Sequence, residues 1–211
     1  MVGNMSSRYT PSPSYVAFYE VPCEPGEHIN AMHAVVLSKA TYLCVGTVVV
    51  DPFDLEPTKG RLIVFKIHTD GRPSLHLVSS TPVRGCVYAI VSKRDTLALA
   101  VNSAVGPTIP KAWSVLQKLD FQVKMFRLVE VEGEKPLHVE LLTEWDHSYV
   151  LQCMATSVDT LIIGDIVRSV ALLDVDWKKG KLERKARDNQ DLGPYRLAVS
   201  GDKGIIGANV S

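Results

Sequence analysis

The sequence lacks the features that mark secreted, membrane-spanning and zinc-binding proteins. Its four cysteines, Cys23, Cys44, Cys86 and Cys153, lie far apart and form no CxxC pair. Three of them lie inside apolar runs, which predicts buried, reduced thiols and a reducing compartment. No apolar run approaches the ~20 residues that a membrane-spanning helix needs, and the N-terminus has no signal-peptide core. We therefore expect a cytosolic or nuclear protein.

The sequence also lacks an excess of charge of either sign, with 23 basic and 23 acidic side chains. Because sequence-independent nucleic-acid binding depends on neutralising phosphates, this balance argues against that role alone. No GxSxG, P-loop or GxGxxG motif occurs, and the histidines show no metal-ligand spacing. Asp51, Asp54 and Glu56 form an acidic cluster without a basic or nucleophilic companion, which favours a solvated loop. We expect no catalysis, metal or cofactor.

What the sequence does contain is a repeated set of short apolar strands, separated by Gly, Pro, Asp and Lys-Gly turns. Four segments are alike: "YLCVGTVVV" from 42, "LALAVNSAV" from 97, "TLIIGDIVRSVALL" from 160 and "GIIGANVS" from 204. Each follows another short strand, and the first three precede two more. Strand-turn-strand units repeated every ~40 residues indicate propeller blades. The sequence predicts an all-β, partial β-propeller of about three and a half four-stranded antiparallel blades.

We place the blades at residues 27–80, 84–143 and 148–186, with a half-blade at 193–211. Residues 1–26 are interpreted as an N-terminal tail or the remnant of a preceding blade. A closed propeller needs at least about four blades, so two strands are missing and sheet edges are exposed. We interpret the chain as a piece of a larger protein, a truncated gene model, or a remnant completed by a partner. Expressed alone, it is expected to be poorly soluble or oligomeric.

The second blade is predicted to contain an insert at residues 105–122, because removing it leaves "VNSAVKMFRL", a clean strand-turn-strand. Within the insert, "AWSVLQKLDF" has an apolar stripe typical of a helical surface loop. A retained short intron is the alternative, because the insert begins near a valine, whose codons start GT, and ends at Gln122, whose codon can be CAG. Comparison of transcript with genome distinguishes the two.

The stretch "LIIGDIVRSVALLDVDW", residues 161–177, has a small polar island between two apolar runs. We interpret this island, residues 164–169, as the turn between two central strands, on one face of the propeller. Gly164 and Asp165 suit turn geometry, and the short Asp165 side chain can accept backbone N–H bonds there. Arg168 is expected at the base of the next strand, where it pairs with Asp165 or faces a partner.

Five ordered blocks carry a resemblance to a known family: "VGTVVVDPFDLEPTKGRLIVFKI", "VRGCVYAI", "GDIVRSVALL", "LERKARD" and "GIIGANVS". They resemble the C-terminal propeller of the large subunit of the UV-damaged-DNA-binding complex, the adaptor of a cullin-RING ubiquitin ligase. The resemblance runs from about Glu27 to Ser211. The largest subunit of the mRNA cleavage and polyadenylation factor and a large spliceosomal subunit share the architecture. The EP-x-x-GR and GD-x-x-RS blocks look more like the damage-binding adaptor.

The resemblance implies a non-enzymatic scaffold that grips substrate-receptor proteins and cullin-type ligase components. Carried over block by block, the implied partner-binding positions are Val48, Val50, Asp54, Glu56, Tyr88, Val150, Gln152, Cys153, Arg168, Arg187 and Tyr195. A mixture of aliphatic, aromatic and charged side chains on a rigid rim is typical of protein recognition, although ordinary rim solvation is the alternative for each single residue. The family also implies nucleic-acid contact only through partners, no membrane contact, and a location in the nucleus and also the cytoplasm.

Three functional hypotheses follow. The first is an interaction scaffold in nuclear ubiquitin-ligase and DNA-repair complexes. The second is a nucleic-acid-associated subunit of an mRNA cleavage and polyadenylation or splicing complex, which co-purification separates from the first. The third is a propeller-like enzyme, for which hydrolytic activity lost on substituting Asp54 and Glu56 would be the sign.

Overall fold

The computed structural model of the chain describes residues 22–38, 40–52, 57–69, 74–105, 118–131, 137–167, 169–188, 190, 193–200 and 204–209. Within them the chain forms β-strands and turns only. No helix that could cross a membrane occurs in this part of the chain.

In the part of the chain that the structure describes, fourteen strands follow one another in chain order. They are β1 Glu27–Leu37, β2 Ala40–Val49, β3 Gly60–His68, β4 Ser74–Val83, β5 Cys86–Lys93, β6 Thr96–Val105, β7 Lys118–Glu130, β8 Leu137–His147, β9 Leu151–Ser157, β10 Thr160–Asp165, β11 Val170–Asp176, β12 Lys181–Arg187, β13 Pro194–Ser200 and β14 Gly204–Asn209. Some of the tight turns contain a residue with a positive φ angle. Gly180 takes the left-handed φ of +67° in the turn between β11 and β12, a conformation that costs glycine little.

The strands form three four-stranded sheets and one two-stranded sheet, each antiparallel and each in chain order. Sheet 1 is β1–β4, sheet 2 is β5–β8, sheet 3 is β9–β12 and sheet 4 is β13–β14. The first strands lie side by side, since β5 contacts both β1 and β9, and β9 contacts β13. The sheets therefore radiate from a row of inner strands. The prediction of an all-β partial propeller with about three and a half blades is confirmed.

The hydrophobic cores lie between neighbouring sheets. One core joins Leu62 and Val64 on β3 to Phe126 and Leu128 on β7, so sheets 1 and 2 pack face to face. A second core joins sheet 2 to sheet 3 in the same way. Alternation along each strand explains this arrangement, because every second side chain points to the same face of its sheet. Burial against both neighbours makes the central strands almost wholly apolar.

The structure corrects the bounds of the insert in the second blade. Lys118–Gln122 were assigned to the insert, yet these residues belong to β7, and Phe121 and Gln122 pair with Asn102 and Val101 on β6. The alternating apolar residues Leu119, Phe121 and Val123 continue a strand, which the removal of the whole segment concealed. Residues 106–117 of the predicted helical loop or intron lie outside the described residues.

The cysteines in apolar runs are buried, as predicted. Cys44 on β2, Cys86 on β5 and Cys153 on β9 are buried free thiols, and Cys23 is an exposed free thiol. Burial raises the pKa of the Cys44 thiol to about 12. Such a thiol stays protonated at neutral pH and behaves as a small apolar side chain.

Candidate protein-interaction face

At one end of every sheet, the residues that begin the first strand lie beside the residues that end the second strand. The strand ladders pair Glu27 with Val49, Cys86 with Asn102, Leu151 with Asp165 and Pro194 with Asn209. These ends of neighbouring sheets lie together. Between sheets 3 and 4, for example, the Cys153 thiol donates a hydrogen bond to the carbonyl oxygen of Pro194 at 3.2 Å. We call this end the rim face and define it by the residues that begin β1, β5, β9 and β13 and end β2, β6, β10 and β12.

The predicted partner-binding residues that the structure describes all belong to the rim face. They are Val48 in β2 and Val50 directly after it, Tyr88 in β5, Val150 directly before β9, Gln152 and Cys153 at the start of β9, Arg187 at the end of β12, and Tyr195 in β13. Asp54, Glu56 and Arg168 lie outside the described residues.

The exposure of these residues differs. Val50 and Tyr195 are exposed, at 47% and 49%. Val48 and Cys153 are buried at 7% and 3%, so their side chains pack inside the chain and support the face from beneath. The remaining described members, Tyr88, Val150, Gln152 and Arg187, are half-buried. The accessible surface of the face therefore comes from fewer side chains than the resemblance implied.

The polar island contains a closely packed charged group, centred on Asp165. Asp165, only 1% exposed, accepts hydrogen bonds from Nε2 of His147 and from Arg187, both at 3.1 Å. Its other oxygen accepts the backbone N–H of Val167 at 3.0 Å, as the sequence predicted for a short aspartate side chain. The guanidinium of Arg187 also lies over the ring of Tyr149, 4.9 Å from its centroid. Asp165 thus ties three strands and one turn together.

This geometry adds to the interpretation of the island. Gly164 and Asp165 are the last two residues of β10, and the turn itself begins at Ile166. Arg168, which we expect to pair with Asp165 or to face a partner, lies outside the described residues. Within them, Arg187 and His147 pair with Asp165 from more distant parts of the chain. A local pattern could not reveal these two partners, because they lie 22 and 18 residues away.

Sequence reasoning missed two exposed apolar residues of the island. Ile166 and Val167 are 53% and 50% exposed, directly after the buried Asp165. The signal was present, since two aliphatic residues interrupt a segment that we classed as polar. Contiguous exposed apolar surface is common at protein contacts, which makes Ile166 and Val167 candidates for one.

Sheet 1 carries a second ionic cluster on the rim face, formed by Glu27, Arg61 and Thr47. Nε of Arg61 donates to Glu27 at 2.8 Å, and the Thr47 hydroxyl donates to the same carboxylate at 2.6 Å. Burial by itself raises the pKa of Glu27, but the hydrogen bonds from Arg61 and Thr47 outweigh it and lower the pKa to about 2. The carboxylate is ionised at all physiological pH values and fixes the start of β1.

Among the described residues, no three histidine, cysteine or carboxylate side chains come together in a way that could hold a metal ion. Burial raises the pKa of the Cys153 thiol to about 11, although the nearby charge of Arg196 and a backbone hydrogen bond from Gly164 oppose the change. A thiol with that pKa is a poor nucleophile at neutral pH.

The opposite end of the sheets has a cavity of about 820 Å³ between sheets 2 and 3. Both signs of charge line it, and Nζ of Lys93 pairs with Asp159 across it at 2.9 Å. Trp177 also lines the cavity, and its carbonyl oxygen accepts a hydrogen bond from the Thr96 hydroxyl at 3.3 Å. The mixture of charges favours neither an anion nor a cation, and the predicted partner-binding residues lie at the other end.

Comparisons with known proteins agree with this architecture. A family model described as the CPSF A subunit region matches residues 14–106. DNA damage-binding protein 1a of Arabidopsis thaliana is 32% identical over 171 residues, which are 81% of this chain and 14% of that protein. The chain resembles DNA damage-binding protein 1. The resemblance predicted from the five sequence blocks is thereby confirmed.

Two further relatives carry the same name. DNA damage-binding protein 1 of Solanum lycopersicum is 29% identical over 168 residues, covering 79% of this chain and 13% of that protein. DNA damage-binding protein 1b of Arabidopsis thaliana is 30% identical over 151 residues, covering 71% of this chain and 12% of that protein. The chain thus spans about one seventh of the length of the DNA damage-binding proteins that it matches.

Proposed function

We propose that the chain is a non-enzymatic scaffold whose rim face docks substrate-receptor proteins onto a cullin-RING ubiquitin ligase in DNA repair. The similarity to DNA damage-binding protein 1 over 81% of the chain supports the class of protein. The observation that carries the docking role is the exposed apolar group of Val50, Ile166, Val167 and Tyr195 at the same end of the sheets.

The rim face combines a fixed backbone with a mixed composition of side chains. Hot-spot residues bind best when their backbone is already fixed, because little entropy is then lost on binding. The bonds of Asp165 with Arg187 and with the backbone of Val167 fix the turn that presents Ile166 and Val167. Arg187 and Tyr195 add a charged and an aromatic side chain at its border. This combination is typical of the centre of a protein interface.

The proposal includes a nuclear location, with a cytoplasmic fraction, and contact with nucleic acid only through partner proteins. The second candidate is a subunit of an mRNA cleavage and polyadenylation or splicing complex. It is favoured by one observation, the match of residues 14–106 to the CPSF A subunit region. The two candidates use the same fold and differ in their partners.

The decisive experiment is affinity purification of the tagged 211-residue chain from nuclear extract, followed by mass spectrometry. We expect cullin and substrate-receptor proteins to co-purify. Recovery of polyadenylation or splicing factors instead would establish the second candidate. Hydrolytic activity of the purified chain that disappears in a D54N/E56Q variant would overturn both and support an enzyme.

A pair of matched variants tests whether the rim face is responsible. Val167→Glu places a charge on the exposed island, and Val158→Glu does the same at a 69% exposed valine in the turn between β9 and β10, at the opposite end. We expect Val167→Glu to reduce recovery of receptor proteins at least tenfold and Val158→Glu to leave it unchanged. Equal recovery with both variants would remove the rim face from the proposal.

A further inference from the structure

The cavity between sheets 2 and 3, at the opposite end from the rim face, lies between two four-stranded sheets. Sheet 2 contributes the turn between β5 and β6, and sheet 3 contributes the end of β11, the turn after it and the start of β12. Its volume of about 820 Å³ falls within the range of about 300–1,000 Å³ that is typical of ligand sites. The cavity is therefore large enough for a ligand of several side chains.

Hydrogen bonds between the two sheets hold the walls of the cavity in place. Nζ of Lys93 in sheet 2 donates to the carboxylate of Asp159 at 2.9 Å and to the carbonyl oxygen of Val158, both in sheet 3. On another side, the guanidinium of Arg127 in sheet 2 donates to the carbonyl oxygen of Lys178 in sheet 3. A site whose walls are fixed before binding loses little entropy when a ligand enters.

Each of the five carboxylates that line the cavity already has a partner within the chain. The fifth along the cavity wall, Asp176, accepts the backbone N–H groups of Lys178 and Lys179 at 3.1 and 3.0 Å. The other four are paired with cations: Asp95 with Arg127, Asp159 with Lys93, Asp174 with Lys185, and Glu183 with Lys181. The acidic side of the lining is therefore largely neutralised.

Three hydrogen-bond donors of the lining are not used in this way. Arg94 and Lys178 form no ion pair in the part of the chain that the structure describes, and both are exposed. Trp177 is only 7% exposed, and its indole Nε1 is buried without a hydrogen-bond acceptor among the described residues. A buried donor without an acceptor is unfavourable, and an oxygen atom supplied by a ligand removes that penalty.

The unused groups of the cavity are all donors, and two of them are positively charged. The lining mixes both signs of charge, but its pairing leaves a demand for an acceptor with a negative charge. A carboxylate meets this demand, because its two oxygens accept several hydrogen bonds and carry one charge. A phosphate carries a second negative charge near neutral pH, which the carboxylates of the lining repel.

We propose that this cavity binds a glutamate or aspartate side chain in an acidic segment of a partner protein. The indole N–H of Trp177 donates to the carboxylate, while Arg94 and Lys178 supply positive charge from the two sheets. The remaining volume accommodates the neighbouring residues of the segment. This site lies at the other end of the sheets from the rim face, so it goes beyond the proposed docking role and lets the chain hold two proteins at once.

A labelled peptide Gly-Ser-Glu-Glu-Ser-Gly is a suitable probe for this site. We expect fluorescence anisotropy to show saturable binding of the peptide to the 211-residue chain. The same peptide with glutamine in place of both glutamates keeps the oxygen acceptors but loses the charge, and it should bind about tenfold more weakly. Competition with free glutarate and with a phosphoserine peptide of the same length distinguishes other sources of negative charge.

The hydrogen bond from Trp177 has its own spectroscopic readout. In a ¹⁵N-labelled chain, the indole N–H resonance of Trp177 is assigned by its loss in Trp177→Phe. We expect this resonance to move downfield as the glutamate peptide is added, because a new acceptor polarises the N–H bond. The indole resonance of Trp145, which does not line the cavity, should stay in place.

Two pairs of matched variants locate the site. Arg94→Asn removes the charge at a residue with a left-handed φ of +56°, a conformation that asparagine tolerates, and should weaken peptide binding about tenfold without lowering the melting temperature. Its control is Arg84→Asn, directly before β5 at the rim end. Trp177→Phe should also weaken binding about tenfold, and Trp145→Phe should leave it unchanged.

The rim-face variant Val167→Glu should bind the peptide as wild type does, which keeps this test separate from that of the docking role. Equal binding of the glutamate and glutamine peptides, an unmoved Trp177 resonance, or equal weakening by Arg94→Asn and Arg84→Asn would overturn the proposal. Glutarate that competes as well as the peptide would assign the cavity to a free dicarboxylate, and tighter binding of the phosphoserine peptide would assign it to a phosphorylated segment. Either result would replace the acidic segment proposed.

Discussion

The side chain of Asn102, at the end of β6, pairs with the backbone of Leu151, at the start of β9, as another strand would. Its Nδ2 donates to the Leu151 carbonyl oxygen at 2.8 Å, and its Oδ1 accepts from the Leu151 N–H at 3.1 Å. Asn102 is fully buried. Asn30 makes a related contact one sheet earlier, where Nδ2 donates to the carbonyl oxygen of Val87 at 2.9 Å. Polar side chains therefore connect successive blades at the rim face.

Replacing Asn102 by alanine should destabilise the chain by about 2–4 kcal/mol, because it leaves both backbone groups of Leu151 buried and unpaired. Denaturant unfolding followed by fluorescence measures the loss. The control is Gln122→Ala, which removes the 2.8 Å hydrogen bond between Gln122 and Asp146 near the surface and should cost about 0.5 kcal/mol or less. Equal midpoints for the two variants would show that Asn102 does not hold sheets 2 and 3 together.

Replacing Asp165 by asparagine should cost about 3–5 kcal/mol, since Arg187 keeps its charge in a half-buried site without its carboxylate partner. Asp174→Asn is the matched control. Asp174 pairs with Lys185 at 2.8 Å, but both side chains are 54% exposed, so the expected loss is under about 0.5 kcal/mol. Thermal unfolding of both variants compares the two pairs, and a larger loss for Asp174→Asn would contradict the assignment of Asp165.

Glu27 should make stability depend on pH in the acid range. Its pKa is about 2 in the folded chain against an ordinary value of 4.5, so its contribution is complete above pH 4.5 and is lost as the pH falls towards 2. At pH 7 we expect Glu27→Gln to be less stable by about 2 kcal/mol, with the difference narrowing below pH 4.5. Unfolding free energies measured from pH 2 to pH 7 test this.

The control for Glu27 is Glu183→Gln, because Glu183 pairs with Lys181 at the surface, where the side chains are 64% and 67% exposed. Such a pair adds little to stability, so the unfolding free energy of Glu183→Gln should equal that of the wild type at every pH measured. A difference in unfolding free energy between Glu27→Gln and wild type that stays constant across the whole pH range would mean that packing, not ionisation, accounts for the lower stability.

Gly164→Ala should disturb the joint between sheets 3 and 4. A Cβ atom at Gly164 would lie 2.6 Å from the Cys153 sulfur and 2.9 Å from Cγ of Pro194, closer than van der Waals contact permits. Overpacking of this kind costs about 1–3 kcal/mol. Gly207→Ala is the control, because its nearest atoms, in Leu197 and Pro194, lie at 3.6 and 3.8 Å. We expect the melting temperature of Gly207→Ala to equal or exceed that of wild type. A similar fall in the melting temperature of both variants would contradict the close packing around Gly164.

The sequence predicted the strands well because each one is buried on a regular pattern. Apolar runs such as "TLIIGD" and turn residues such as Gly180 are local signals, and they specify strands and hairpins without knowledge of the rest of the chain. The bounds of β7 were missed because removing a segment that contained Leu119 and Phe121 also produced a plausible strand-turn-strand pattern. A local pattern cannot tell the end of a strand from the start of an insert.

The sequence alone determined that this chain forms repeated antiparallel sheets of one type, because alternation and turn chemistry act between neighbours in the chain. Only the tertiary structure decided which side chains the rim face presents and which it buries. Val48 and Cys153, which the resemblance implied as partner-binding, are buried, whereas Ile166 and Val167 are exposed. It also decided that His147 and Arg187 pair with Asp165. Burial and ion pairing depend on which sheets meet, and that is settled only when the blades pack.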